Sequence, residues 1–148
     1  MSIEIIIPNY NGFELIKKNP FGVGLGNQVI YSVKNNIYQN SGMVRPWEWQ
    51  PIHNIYLLMA SEIGIFGFLA FSFFILNLFG INQYLSKDFG SVLNLENYIP
   101  KIMLLALLAF GLVDHFLWTL EPGRLMLWVV VGVVMGSHIN DHDYKIKV

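Results

Sequence analysis

The sequence predicts an all-α, polytopic membrane fold of about three spans behind a long extramembrane segment. Three observations carry that expectation. The 148 residues are 54% hydrophobic and only 13% charged, too apolar for an ordinary soluble domain of this size, and the mean hydropathy is +0.47. Apolar runs suited to helical spans of about 20 residues lie from residue 53 onward. Within the first run, at helical pitch, His53, Tyr56, Ala60, Gly64 and Gly67 share one stripe. Its small-xxx-small spacing lets a neighbouring helix approach closely.

Residues 1–52 are mixed and polar enough to lie outside the bilayer. Ile3–Ile7 reads either as a strand or as the tail of a longer element, and Gly12–Lys18 as a short interfacial helix ended by Asn19-Pro20. No cleavable signal peptide is read in Met1–Tyr10, which lacks a basic start and has Pro8 across its apolar run. The glycines at 22, 24 and 26 suggest a phosphate loop, but the Lys-Ser/Thr ending is missing, so a turn packed near the membrane is expected. Arg45, Trp47 and Trp49 follow in a polar, aromatic loop suited to a membrane interface.

The spans are expected at residues 53–79, 99–119 and 123–138, joined by a polar linker at 80–98 and the tight turn Glu121-Pro122-Gly123. Pro100 is placed in the first turn of the second span. The third is short for a full crossing, and a polar tail at 139–148 follows. Charge does not orient the chain, since the linker and tail lysines do not outnumber Lys17, Lys18, Lys34, Arg45 and Arg124. A net charge of −1 argues against nucleic acid, and the absence of cysteine removes disulfides, thiolate catalysis and cysteine zinc sites. His138, Asp141, His142 and Asp143 are read as a solvated tail rather than a metal site. There are no internal repeats.

Three pieces of sequence carry a resemblance. His53-Asn54, nine residues, then Gly64-x-x-Gly67 is the first; Asn19-Pro20-Phe21-Gly22-Val23-Gly24-Leu25-Gly26-Asn27 precedes it; Asp114-His115…Trp118…Gly123-Arg124 follows. Together they resemble the O-antigen ligase and O-antigen polymerase superfamily, integral-membrane glycosyltransferases acting on polyprenyl-diphosphate-linked glycans. The resemblance implies the C-terminal portion of a larger, GT-C-like helical enzyme of the bacterial inner membrane, with the His53 loop facing the periplasm or exterior. It also implies an inverting, metal-independent transfer without cofactor. The acceptor would be a hydroxyl or amide of a lipid A-core, a growing polysaccharide or a protein. Because family members have on the order of a dozen spans, a missing N-terminal half is an expected partner, and the chain alone is expected to be inactive.

The expected site follows. His53 accepts a proton from the incoming hydroxyl, since an imidazole titrates near neutrality. Arg45 and Arg124 suit a diphosphate, although each also reads as an ordinary polar residue. Asn54 either orients substrate or caps the helix. Asp114 matches a family position of importance, or ties to Arg124 across the hairpin. Glu62 is placed on the face opposite His53 with a structural role, its partner on a helix this chain lacks; Gly64, Gly67 and Trp118 are accessory. Two other classes stay open. One is a non-enzymatic membrane subunit packing through its glycine faces, and the other a transporter fragment using Glu62 and Asp114 for ion coupling.

Overall fold

The computed structural model describes the backbone of residues 3–79 and 95–146 and the side chains of residues 9, 11–79 and 98–137. Among the described residues the fold is all-helical. In chain order the helices are α1 (Ile3–Lys18), α2 (Gln28–Lys34), α3 (Ile37–Asn40), α4 (Ile55–Glu62), α5 (Gly64–Leu78), α6 (Leu95–Phe110), α7 (Phe116–Thr119) and α8 (Glu121–Ile146), with a 3-10 turn at Pro46–Glu48.

The extramembrane segment expected at residues 1–52 is thus mostly helical. Ile3–Ile7 opens α1 and is not a strand. Lys17 and Lys18 close this helix, where cations face the negative end of its dipole. The next two helices are pinned by a buried polar network. Gln28 Nε2 donates to Ser32 Oγ and Tyr38 Oη, both at 3.3 Å, and the Tyr38 hydroxyl donates to the Gln50 carbonyl at 2.8 Å. Burial pushes the Tyr38 pKa above its ordinary value, so the hydroxyl stays a donor.

The first expected span is not one helix. It breaks at Ile63-Gly64 into α4 and α5. Gly64 has φ +77°, a left-handed conformation that ends a helix and that only glycine adopts freely. The shared stripe running from His53 to Gly67 is therefore interrupted. The second expected span is also divided. Its helix starts at Leu95, ahead of Pro100, and ends at Phe110. A turn then leads into the four-residue α7, where Asp114 Oδ1 accepts the Phe116 N–H at 2.9 Å. The expected turn at Glu121-Pro122-Gly123 instead opens α8, with Pro122 in the first turn, where a missing N–H costs nothing. Residues 80–94 of the expected linker lie outside the described residues, as do the side chains of the suggested metal cluster from His138 to Asp143.

Two apolar clusters hold the helices together. Leu127, Val130, Val131 and Val134 of α8 follow i, i+3, i+4, i+7 spacing and pack on Leu104 of α6 and on Ile75 and Leu78 of α5. Ile55 and Met59 of α4 pack on Leu117 of α7. Beyond these seams, large apolar side chains remain exposed, including Phe66, Leu69, Phe73 and Leu76 on α5, Ile102 and Leu105 on α6, and Leu125, Val129 and Val133 on α8. Among the described residues, however, no helix is long and apolar enough to cross a membrane.

Candidate active site

The helix break behind His53 is held by the glycine-rich loop. Asn19-Pro20-Phe21-Gly22 turns tightly, with the Gly22 N–H donating to the Asn19 carbonyl at 2.9 Å and proline at the favoured second position. The loop then lies against the end of α4. The Val23 and Gly24 N–H groups donate to the Ser61 and Glu62 carbonyls at 2.9 and 3.0 Å, and Ile65 N–H donates to the Pro20 carbonyl at 3.0 Å. Carbonyls that a broken helix would leave without partners are thereby satisfied. Backbone approaches backbone so closely that a Cβ on Gly22 would collide with the Glu62 carbonyl oxygen and the Gly64 nitrogen. The amides of Val23 and Gly24, which would serve a phosphate loop, are spent on this clasp.

On the other side, the start of α4, next to His53, is anchored to the end of α6. Asn54 caps α4, its Oδ1 accepting from the Tyr56 and Leu57 N–H groups at 3.0 and 3.1 Å, while its Nδ2 donates to the Leu112 carbonyl at 3.1 Å. The Ile55 N–H donates to the Gly111 carbonyl at 2.9 Å, and the Tyr56 hydroxyl to the Leu108 carbonyl at 2.6 Å. Three consecutive residues thus supply donors to the end of one helix. Both polar ends of the Asn54 side chain are engaged, so its role here is to cap the helix and fix the direction of the segment before it.

The half-buried His53 ring lies 5.3 Å from the His115 ring, centroid to centroid, with the planes inclined by 35°. His115 Nδ1 lies 2.8 Å from Thr119 Oγ1. Burial lowers the His115 pKa; the charge of neighbouring Asp114 opposes that shift and the nearby His53 adds to it. His115 is thereby biased towards its neutral form.

Thr119 forms part of a cavity of about 490 Å³ whose other walls include Gln28, Pro51, Glu62, Trp118 and Arg124. Glu62 is buried, 5% exposed, and its Oε2 accepts the Trp118 indole N–H at 2.9 Å. Its partner is therefore in this chain, on α7, contrary to the expectation of an absent helix. Asp114 holds the Phe116 N–H at the start of α7, and no ion pair joins it to Arg124 among the described residues. Arg45 is exposed, its guanidinium 5.5 Å from the centre of the Trp47 ring, while its backbone N–H donates to Glu48.

The fold therefore brings Glu62, Trp118, Thr119 and Arg124 around one cavity, with His115 in contact with Thr119 and His53 in contact with His115, while Arg45 stays on a neighbouring loop. Sequence reasoning missed Thr119, Gln28 and the pairing of the two histidines. Thr119 lies four residues after His115, one helical turn, and that spacing was the available signal.

Fold and site together define, among the described residues, an all-helical array with a pair of imidazoles joined through Thr119 to a cavity walled by Trp118 and Trp128. Residues 9–72 match the family described as O-antigen ligase, so over that stretch the chain is similar to the family its motifs resemble. Neither the curated proteins nor the solved structures give a match.

Proposed function

We propose that the protein acts in glycan transfer of the O-antigen ligase type, from a polyprenyl-diphosphate donor to a hydroxyl or amide acceptor, at the outer face of the cytoplasmic membrane. The observation that supports this reading best is convergence. Leu25 and Gly26 from the first sequence piece, Pro51 and Glu62 flanking His53, and Trp118, Thr119 and Arg124 from the last all line the same cavity. In the proposed reaction the acceptor oxygen attacks the anomeric carbon and the carbon–oxygen bond to the diphosphate breaks. The bonding pair leaves with the diphosphate, inverting the centre. His53 takes the acceptor proton, and Arg124, with Arg45 on the adjoining loop, balances the charge that develops on the leaving group. Asn54 and Asp114 act through the backbone N–H groups they hold, and the His115 ring supports the face of His53.

The exposed apolar faces of α5, α6 and α8 suit lipid and further helices, so activity is expected only with those helices present. The decisive experiment places His53→Ala in the chromosomal copy and follows glycan transfer in whole membranes. Loss of a general base typically costs about 10²–10⁴-fold, and a loss of that size with normal membrane insertion supports the reading. Undiminished transfer would overturn it.

A non-enzymatic subunit is the second reading. It is favoured by Gly132 and Gly136, which stand one helical turn apart on α8 with open space where a Cβ would be. On that reading, Gly132→Leu abolishes co-purification of a partner while His53→Ala changes nothing.

A further inference from the structure

We propose that the cavity between α2, α4 and α8 is a subsite for a single pyranose ring, held through its hydroxyls by Glu62 and Gln28 and through its C–H face by Trp128. The proposal rests on the glycan-transfer reading and adds to it the residues that recognise the sugar. Its volume, about 490 Å³, lies in the range of sites that enclose small ligands.

The wall chemistry asks for hydrogen-bond donors. Glu62 is a buried carboxylate whose described partner is a single indole N–H, leaving acceptor capacity unused. Gln28, 2% exposed, directs its amide N–H at Ser32 and Tyr38, and its Oε1 has no partner. The unpartnered Gln28 Oε1 is costly to bury unless a bound group supplies a proton to it, and Glu62 can accept further bonds beyond the one from Trp118. Vicinal hydroxyls serve both. Trp128, 48% exposed, lines the same cavity, and its ring is braced edge-on against Phe71 at 6.3 Å. A flat aromatic face beside polar acceptors matches a pyranose, which has an apolar C–H face and a hydroxyl-bearing edge. Arg124 reaches both this cavity and the adjoining one, placing a cation where a sugar's diphosphate or acidic substituent would emerge.

The ring can belong to the donor glycan or to the acceptor glycan, and the test separates them. Full-length protein in lipid nanodiscs is titrated with methyl glycosides of glucose, galactose, N-acetylglucosamine and N-acetylgalactosamine, read by saturation-transfer NMR. At least one glycoside is expected to receive saturation on its ring protons. Trp128→Ala and Glu62→Gln should each weaken that binding by about tenfold or more. Glutamine keeps an acceptor for Trp118, so an unchanged melting profile for Glu62→Gln separates binding from folding. In the membrane transfer assay, Trp128→Ala should raise KM for either the donor or the acceptor, and which one rises identifies the ring's source. No glycoside binding by the wild type, or equal binding by both cavity variants, overturns the subsite while leaving the transfer reading intact. Loss of activity in His53→Ala tests that reading separately.

Discussion

The Gly24 N–H donates to the Glu62 carbonyl at 3.0 Å, joining the glycine-rich loop to the helix end just behind the buried carboxylate. Two sequence pieces nearly forty residues apart are one joint, and several consequences of that joint are measurable.

Gly64→Ala should be among the most damaging small substitutions. It puts a side chain into left-handed backbone at about 1–2 kcal/mol, and its Cβ would sit 2.7 Å from the Pro20 carbonyl oxygen. Gly26→Ala carries the backbone cost alone, since φ is +71° but nothing lies within 4 Å of its Cβ. Unfolding in detergent should show the larger loss at Gly64; equal losses would mean that the clasp is not under steric control.

Tyr56→Phe removes the 2.6 Å hydrogen bond to the Leu108 carbonyl without altering the ring. A loss of about 1 kcal/mol is expected. Hydrogen exchange should quicken at the start of α4, where Ile55 N–H is bound to the same helix end.

Leu127→Ala empties a fully packed position in the α5–α6–α8 seam, where Leu127 is 1% exposed. Large-to-small changes of this kind cost about 2–5 kcal/mol. The exposed Leu125→Ala, on the same helix, should change stability little when measured in the same detergent.

Acidification should destabilise the protein through His115. Its folded pKa lies below the ordinary imidazole value, with burial as the main cause. Between that lowered value and the unfolded value of about 6.5, the unfolded chain binds more protons. Stability therefore rises with pH across this window and is lost as pH falls through it. His115→Gln should flatten this part of the melting-temperature profile. An unchanged slope would place the acid sensitivity elsewhere.

The helical class was legible in the sequence because apolar runs and helical spacing are local properties. So was Asn54 as a cap, since an Asn before an apolar run has an obvious use for its oxygen. The division of residues 54–79 was harder to see. Gly64 sits in an apolar run that hydropathy counts as continuous, and the break depends on a loop that arrives from residues 20–24. The second span was overextended for a similar reason: apolar residues continue past Phe110, but Gly111 receives the Ile55 methyl at close range and the chain turns. The partner of Glu62 was missed because Trp118 is separated from it by 56 residues. Spacing on one helix cannot reveal such a pair. Thr119 and Gln28 carry no chemistry of their own until the fold sets them beside an imidazole and a cavity.

The clasp between residues 20–24 and the α4–α5 break is built from peptide groups, and its demands on side chains are almost all prohibitions. Positions 22 and 64 must carry no Cβ, whereas Pro20, Val23 and Ile65 contribute main-chain atoms that any residue with the same amide or carbonyl would supply, and Phe21 adds a ring stacked on Phe66. A joint of that kind leaves a signature of fixed blanks separated by free letters. A sequence can drift widely between its glycines and still keep the same break between α4 and α5.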